Sequence, residues 1–175
     1  MVDGRSRIDR LRGKGGALDR EAVRTILPYG EEFLFVDRVA RLTADEVETF
    51  FRIPTRAPYL DGHFRGLAIM PGALMSEAFA QAGAILVRYN LVSPEETDIL
   101  GHHVESARFL SLALPGDLLC FRVHLRTMDQ RAARLEGQVL VGERKVGRMR
   151  VVVAILKREA LRREVERLEA GSWTR

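Results

Sequence analysis

Residues 72–89, GALMSEAFAQAGAILVRY, limit the possible folds more than any other part of the chain. Pro71 before them suits a sharp helix entry, and these 18 residues would make a helix roughly 27 Å long at about 1.5 Å per residue. Twelve of the 18 are apolar and they cover more than one face. A helix that is apolar nearly all round must be buried on nearly all sides. Five of the 18 are alanine, and Gly83 lies in the interior, where glycine costs about 1 kcal/mol against alanine. Small residues make sense there if a sheet wraps closely around the helix. Glu77, Gln81 and Arg88 interrupt the run, whereas a membrane span needs about 20 residues nearly free of charge.

Outside this helix the pattern changes to apolar/polar alternation. Strand-like runs are predicted at 33–42, 47–53, 104–112, 118–128, 131–141 and 145–156, with turn signals at Pro115-Gly116-Asp117 and Gly142-Glu143. The last three follow one another closely, which favours antiparallel pairing over parallel crossovers. A short helix from the Asp19 cap to Pro28 precedes them. The fold class expected is α+β: a long central helix in a curved antiparallel sheet. Residues 1–17 read as a flexible basic extension and 18–156 as the domain. Residues 157–175 read as a C-terminal amphipathic helix with Leu161, Val165 and Leu168 along one side.

The 175 residues carry a formal net charge of +4, from 28 Lys and Arg against 24 Asp and Glu. The excess sits at the ends: residues 1–24 are net +3, residues 157–175 net +2, and the stretch between is net −1. The domain therefore needs no polyanionic partner, and no nucleic-acid binding is expected. Gly13-Lys14-Gly15-Gly16 has no apolar helix before it to support a nucleic-acid-clamping loop. A single cysteine, Cys120, excludes an intramolecular disulfide framework, and the four histidines show no zinc-ligand spacing. The N-terminus lacks an apolar core of signal-peptide length, so a soluble cytoplasmic protein without a membrane span is expected.

Three residues stand out for chemistry. Glu77 is the only acid in the long helix, with Leu74, Met75, Ala78 and Phe79 around it. An ionised carboxylate in apolar surroundings must find partners, stay partly wet or hold its proton. Gln81, one turn on, could hydrogen-bond to it, although a solvent-exposed helix face explains Glu77 equally well. His63 sits in Asp61-Gly62-His63-Phe64-Arg65-Gly66, where flanking glycines permit close approach of another group, yet a lone histidine is more often structural. Gly72 opens the helix, and its N-terminal N–H groups could receive a developing oxyanion; ordinary helix geometry also suffices. Taken together, a histidine base, a carboxyl group and backbone donors within 15 residues suit proton abstraction next to a carbonyl. His102, His103 and His124 read as structural, and a metal site is not expected. No nucleophile elbow or phosphate-binding loop is present.

Across about residues 20–156 the chain resembles the 3-hydroxyacyl-acyl-carrier-protein dehydratases of the FabZ/FabA type, which have the hot-dog fold. Leu27-Pro28 followed by Phe33-Leu34-Phe35-Val36-Asp37-Arg38-Val39 resembles the family's opening strand. Gly62-His63-Phe64-Arg65-Gly66 resembles its GHFPG loop, and Ile69-Met70-Pro71-Gly72 with Glu77-Ala78-Phe79-Ala80-Gln81 its IMPG segment and helix. Ala107-Arg108-Phe109 and Pro115-Gly116-Asp117 resemble its ARF and PGD pair. Four segments in order are far more specific than any one motif. Departures are Arg65 for the loop proline, Leu67 and Ala68 for the usual arginine and proline, and Tyr29-Gly30-Glu31-Glu32 for the usual His-Arg-x-Pro.

The resemblance implies a lyase that dehydrates (3R)-3-hydroxyacyl thioesters to trans-2-enoyl thioesters in fatty-acid or related lipid synthesis. His63 would remove the C2 proton, Glu77 would bind the 3-hydroxyl and deliver a proton to it, and the Gly72 N–H would polarise the thioester carbonyl. Gln81, Phe64 and Gly66 would support them. The family's site is shared across a homodimer, often assembled further as a trimer of dimers, with His63 from one subunit and Glu77 from the other. No metal or organic cofactor is implied beyond the phosphopantetheine of an acyl carrier protein or coenzyme A. A hot-dog thioesterase and a non-catalytic thioester-binding scaffold are the competing expectations.

Overall fold

In the computed structural model, which describes residues 3–171, the long helix forms where the sequence predicts it, as α4 over Gly72–Asn90. It packs against a six-stranded, wholly antiparallel sheet of β1 (Arg38–Leu42), β2 (Glu46–Arg52), β3 (Thr97–Phe109), β4 (Leu118–Met128), β5 (Ala132–Val141) and β6 (Arg144–Lys157). The order across the sheet is β1-β2-β4-β5-β6-β3. Residues 81–88 of α4 are buried without a break. The reason for Gly83 is direct: a Cβ there would lie 2.3 Å from Leu135 Cδ1 on β5. Phe79 and Phe121, both 0% exposed, anchor the core between helix and sheet, and burying a side chain of that size contributes about 1.5–3 kcal/mol. Among the described residues no helix is long and apolar enough to cross a membrane.

The two sheet edges differ. At β1, Leu18 covers the rim by exchanging backbone hydrogen bonds with Val39 at 2.8 and 2.9 Å. β3 is 13 residues long, pairs only with β6 among the described residues, and has no buried residue. A long exposed edge is a template for another strand.

Four segments depart from the sequence expectation. Residues 33–36, expected as strand, lie outside the ladder, and a side chain takes two of their backbone groups: Phe33 O accepts from Gln81 Nε2 and Phe35 N donates to Gln81 Oε1, each at 2.8 Å; Asp37 N already donates to Phe50 O on β2. β3 begins seven residues before the predicted run, because polar TDILGHH still has an edge to pair with on β6. A one-turn helix, α3 (Pro58–Asp61), precedes His63. The lead-in expected to be flexible instead holds α1 (Gly4–Asp9), capped by Asp3, which accepts from Ser6 N at 2.8 Å. Gly4 N donates to Leu91 O, and a Cβ at Gly4 would lie 1.9 Å from Arg88 O, so only glycine lets α1 press on the end of α4. Ile8 is buried there at 2% exposure. The short helix after Asp19 is α2 (Arg20–Ile26), and the C-terminal helix is α5 (Arg158–Gly171), with no buried residue. Residues 172–175 of the expected extension lie outside the described residues.

Candidate active site

His63 lies in a loop that closes on itself. Ile69 N donates to His63 O at 3.0 Å, and Phe64 and Leu67 exchange backbone hydrogen bonds at 2.7 and 3.0 Å. Gly66 sits at φ +75°, which side-chain-bearing residues rarely adopt and which the tight 64–67 turn requires. His63 Nδ1 lies 3.2 Å from Ile69 O. A carbonyl only accepts, so a hydrogen bond at this distance is donated by Nδ1–H, and in the neutral ring that leaves the lone pair on Nε2. The Phe64 ring stacks on the imidazole with centroids 4.3 Å apart while remaining 58% exposed.

Gly72 begins α4 behind Pro71, which supplies no side-chain cap, so the first-turn N–H groups have no side-chain acceptor. The Phe109 ring covers this position: a Cβ on Gly72 would lie 2.8 Å from its atoms. The space left by the missing side chain is thus filled by an aromatic edge from the end of β3.

Glu77, five residues on, is half-buried on the next turn. Its Oε1 accepts from Gln81 Nε2 at 3.0 Å. Gln81 is itself 0% exposed and clamped between Phe33 O and Phe35 N. Both ends of the amide are fixed, so the nitrogen must face Glu77. Tyr29 completes this cluster. Burial first, then the nearby Glu77 charge and a hydrogen bond to it, push the Tyr29 hydroxyl up to about 12. Sequence reasoning assigned Tyr29 no role. Its signal was its place two residues after Leu27, on the segment that Gln81 holds against α4.

Glu77 borders an open cavity of about 330 Å³ shared with Ala73, Ser76, His102, His103 and Val104. His102 and His103, read from the sequence as structural, are exposed on β3 beside a bulge between Gly101 and His103. His124 is likewise half-exposed, 3.7 Å from Glu46. The structure therefore brings Gly72, Glu77 and Gln81 together on one helix. His63 makes no hydrogen bond or ion pair with Glu77 among the described residues and does not line its cavity.

With a long helix against an antiparallel sheet, a histidine loop before the helix and a carboxylate within it, the fold class is the hot-dog fold of dehydratases and thioesterases. Residues 27–152 match the FabA-like domain, and the chain belongs to that family. It is 32% identical over 144 residues to the 3-hydroxyacyl-acyl-carrier-protein dehydratase FabZ of Nitratidesulfovibrio vulgaris strain DP4, covering 81% of this chain and 94% of the relative. It is 31% identical over 141 residues to the bifunctional enzyme LpxC/FabZ of Bacteroides thetaiotaomicron, covering 80% of this chain and only 31% of that longer protein. Among solved structures, a dehydratase heterocomplex, ApeI:P from Xenorhabdus doucetiae, superposes with a TM-score of 0.69 at 15% identity, over 82% of this chain and 96% of the other. The fluoroacetyl-CoA thioesterase FlK gives 0.61 at 14% identity, over 73% and 96%. At those identities the structural likeness concerns the fold.

Proposed function

We propose that the protein dehydrates (3R)-3-hydroxyacyl thioesters to trans-2-enoyl thioesters, with the acyl group carried on the phosphopantetheine of an acyl carrier protein. The observation that carries this reading is the 3.2 Å approach of His63 Nδ1 to Ile69 O: an Nδ1–H donated there leaves Nε2 of the neutral ring as a base. Nε2 takes the C2 proton, and the electron pair moves toward a thioester carbonyl polarised by the Gly72 N–H. The C2–C3 double bond then forms as the C3–O bond breaks. In its carboxylic-acid form Glu77, fixed by Gln81, hydrogen-bonds the 3-hydroxyl and gives it the proton with which it departs as water, leaving the carboxylate on Glu77 and the C2 proton on His63. Family membership supports the reaction class. Phe64 and Gly66 shape the His63 loop, and exposed Arg65 is available to an acidic carrier.

We further propose that the site is shared by two subunits of a homodimer. The separation of His63 from Glu77 within one chain supports this, as does the free edge of β3 beside the Glu77 cavity. Val104, Phe109, Leu110 and Leu112, each more than half exposed, offer apolar surface along and beyond that edge. Incubating the purified protein with a 3-hydroxyacyl thioester and following enoyl absorbance tests the reaction. Reversible interconversion with the enoyl thioester is expected. Release of free thiol would identify a thioesterase instead, and neither product would indicate a binding scaffold.

A further inference from the structure

A second open cavity, of about 750 Å³, lies against the segment that Gln81 clamps, bounded by the end of β2, the start of α3 and Leu74 of α4. Its wall is aromatic. Phe35 meets Phe33, Phe51 and Tyr59 edge to face, at centroid separations of 5.2, 5.5 and 6.1 Å. Phe35 and Phe51 are buried, whereas Phe33 is 47% exposed. Rings locked in this way make a slot that exists before any ligand arrives, and its volume falls in the range of about 300–1,000 Å³ that suits small organic ligands. The rim carries Arg20, Arg52 and Arg56 against Glu31, Glu32 and Asp37, three charges of each sign. Arg20 is paired with Glu31 at 2.8 Å and with Asp37, and Arg52 Nη1 donates to Gly116 O at 2.9 Å. With the rim balanced, the ligand that fits is uncharged and apolar.

Two residues tie this cavity to Glu77. Leu74, in its wall, is three residues before Glu77, so the two adjoin on the helix surface. Phe33, also in the wall, accepts through its carbonyl from the same Gln81 nitrogen that reaches Glu77. One side chain thus fixes both the carboxylate and the aromatic wall. The opposite way along α4 is closed to a hydrocarbon chain. Gln81 to Arg88 are buried without a break, and the cavity at the far end, of about 260 Å³, is walled by Arg7, Arg24, Arg88 and Arg158. The Glu77 cavity, of about 330 Å³, has Ser76, His102 and His103 in its wall and suits the polar reacting end of a thioester.

We propose that the aromatic cavity holds the acyl chain beyond C3, which makes the protein selective for medium- and long-chain acyl thioesters over short ones. The reaction of that ligand rests on the dehydratase reading; the acyl-chain site does not. Each methylene moved from water into the cavity should raise affinity about fourfold.

The test has two arms, both on the full chain. In the first, kcat/KM is measured for the pantetheine thioesters of (3R)-3-hydroxybutanoate, 3-hydroxyoctanoate and 3-hydroxydodecanoate, and it should rise with chain length. Leu74→Trp and Ala57→Phe, which fill the cavity, should each lower the dodecanoyl-to-butanoyl ratio about tenfold, the worth of roughly two methylenes. In the second, protein with 13C-labelled leucine and valine methyls is titrated with dodecanoyl-pantetheine, which lacks the 3-hydroxyl and cannot be dehydrated. A saturable shift of the Leu74 methyls is expected, much weaker with butanoyl-pantetheine. A flat chain-length series, a ratio unchanged in both folded variants, or shifts of the Val104 and Val151 methyls without one at Leu74 would each overturn the proposal. A Leu74 shift in a chain that turns over none of the three substrates would sink the dehydration and uphold the acyl-chain site.

Discussion

The two halves of α4 carry different burdens. From Gly72 to Ala80 the helix is only partly covered, with Glu77 beside an open cavity and Gly72 without a side-chain cap. From Gln81 to Arg88 every residue is buried. One face of the first half is open to a second molecule while its Met75, Ala78 and Phe79 stay in the core, whereas the second half is buried all round. Gln81 stands at the boundary and belongs to both, since its amide meets the backbone of 33–35 and also Glu77. A carboxylate can be placed accurately on a partly open surface when the residue one turn behind it is completely fixed.

This division makes separable predictions. Glu77→Gln should lower turnover by about 10²–10⁴-fold, the worth of a well-placed acid–base group, with the unfolding midpoint nearly unchanged. Phe79→Ala, deep in the buried side of the helix, should instead cost about 3–5 kcal/mol of stability in denaturant titrations. Gln81→Leu should do some of each. Leaving Phe33 O and Phe35 N unpaired costs about 1–3 kcal/mol, and turnover should fall as Glu77 loses its donor. A variant that loses stability without losing turnover would separate Gln81 from the chemistry.

The smallest effect concerns Tyr29. Its hydroxyl titrates near 12 in the folded chain against about 10 in an unfolded one, so folding favours the protonated form. The resulting stability is fully present below about pH 10 and is lost as pH rises through about 12. Denaturant midpoints measured across that window should fall more steeply for the parent than for Tyr29→Phe.

Most of this architecture was legible in the sequence because α4 announces itself: apolar positions on several faces, small residues, and a single acid. The meander from β4 to β6 was readable from alternation and short turns. The start of β3 was not, because an edge strand need bury nothing and TDILGHH carries no alternation to detect. Residues 33–36 misled for the opposite reason. They look like a strand, yet a glutamine 48 residues from Phe33 takes two of their backbone groups, Phe33 O and Phe35 N. The α1 helix was hidden by its charged composition, and its key residue is a glycine whose importance appears only against Arg88 O. For the site, the pairing of Glu77 with Gln81 followed from their one-turn spacing, whereas the place of Tyr29 beside Glu77 depended on a long-range crossing that spacing does not encode.

In the proposed dimer, His63 of one subunit works with Glu77 of another. The most direct test is to co-express His63→Ala and Glu77→Gln chains bearing different tags, isolate the mixed dimers, and measure enoyl thioester formation. In a two-fold dimer one of the two sites would then hold both native residues, so about half of the parent activity is predicted. Mixed dimers as inactive as either variant alone would contradict a shared site.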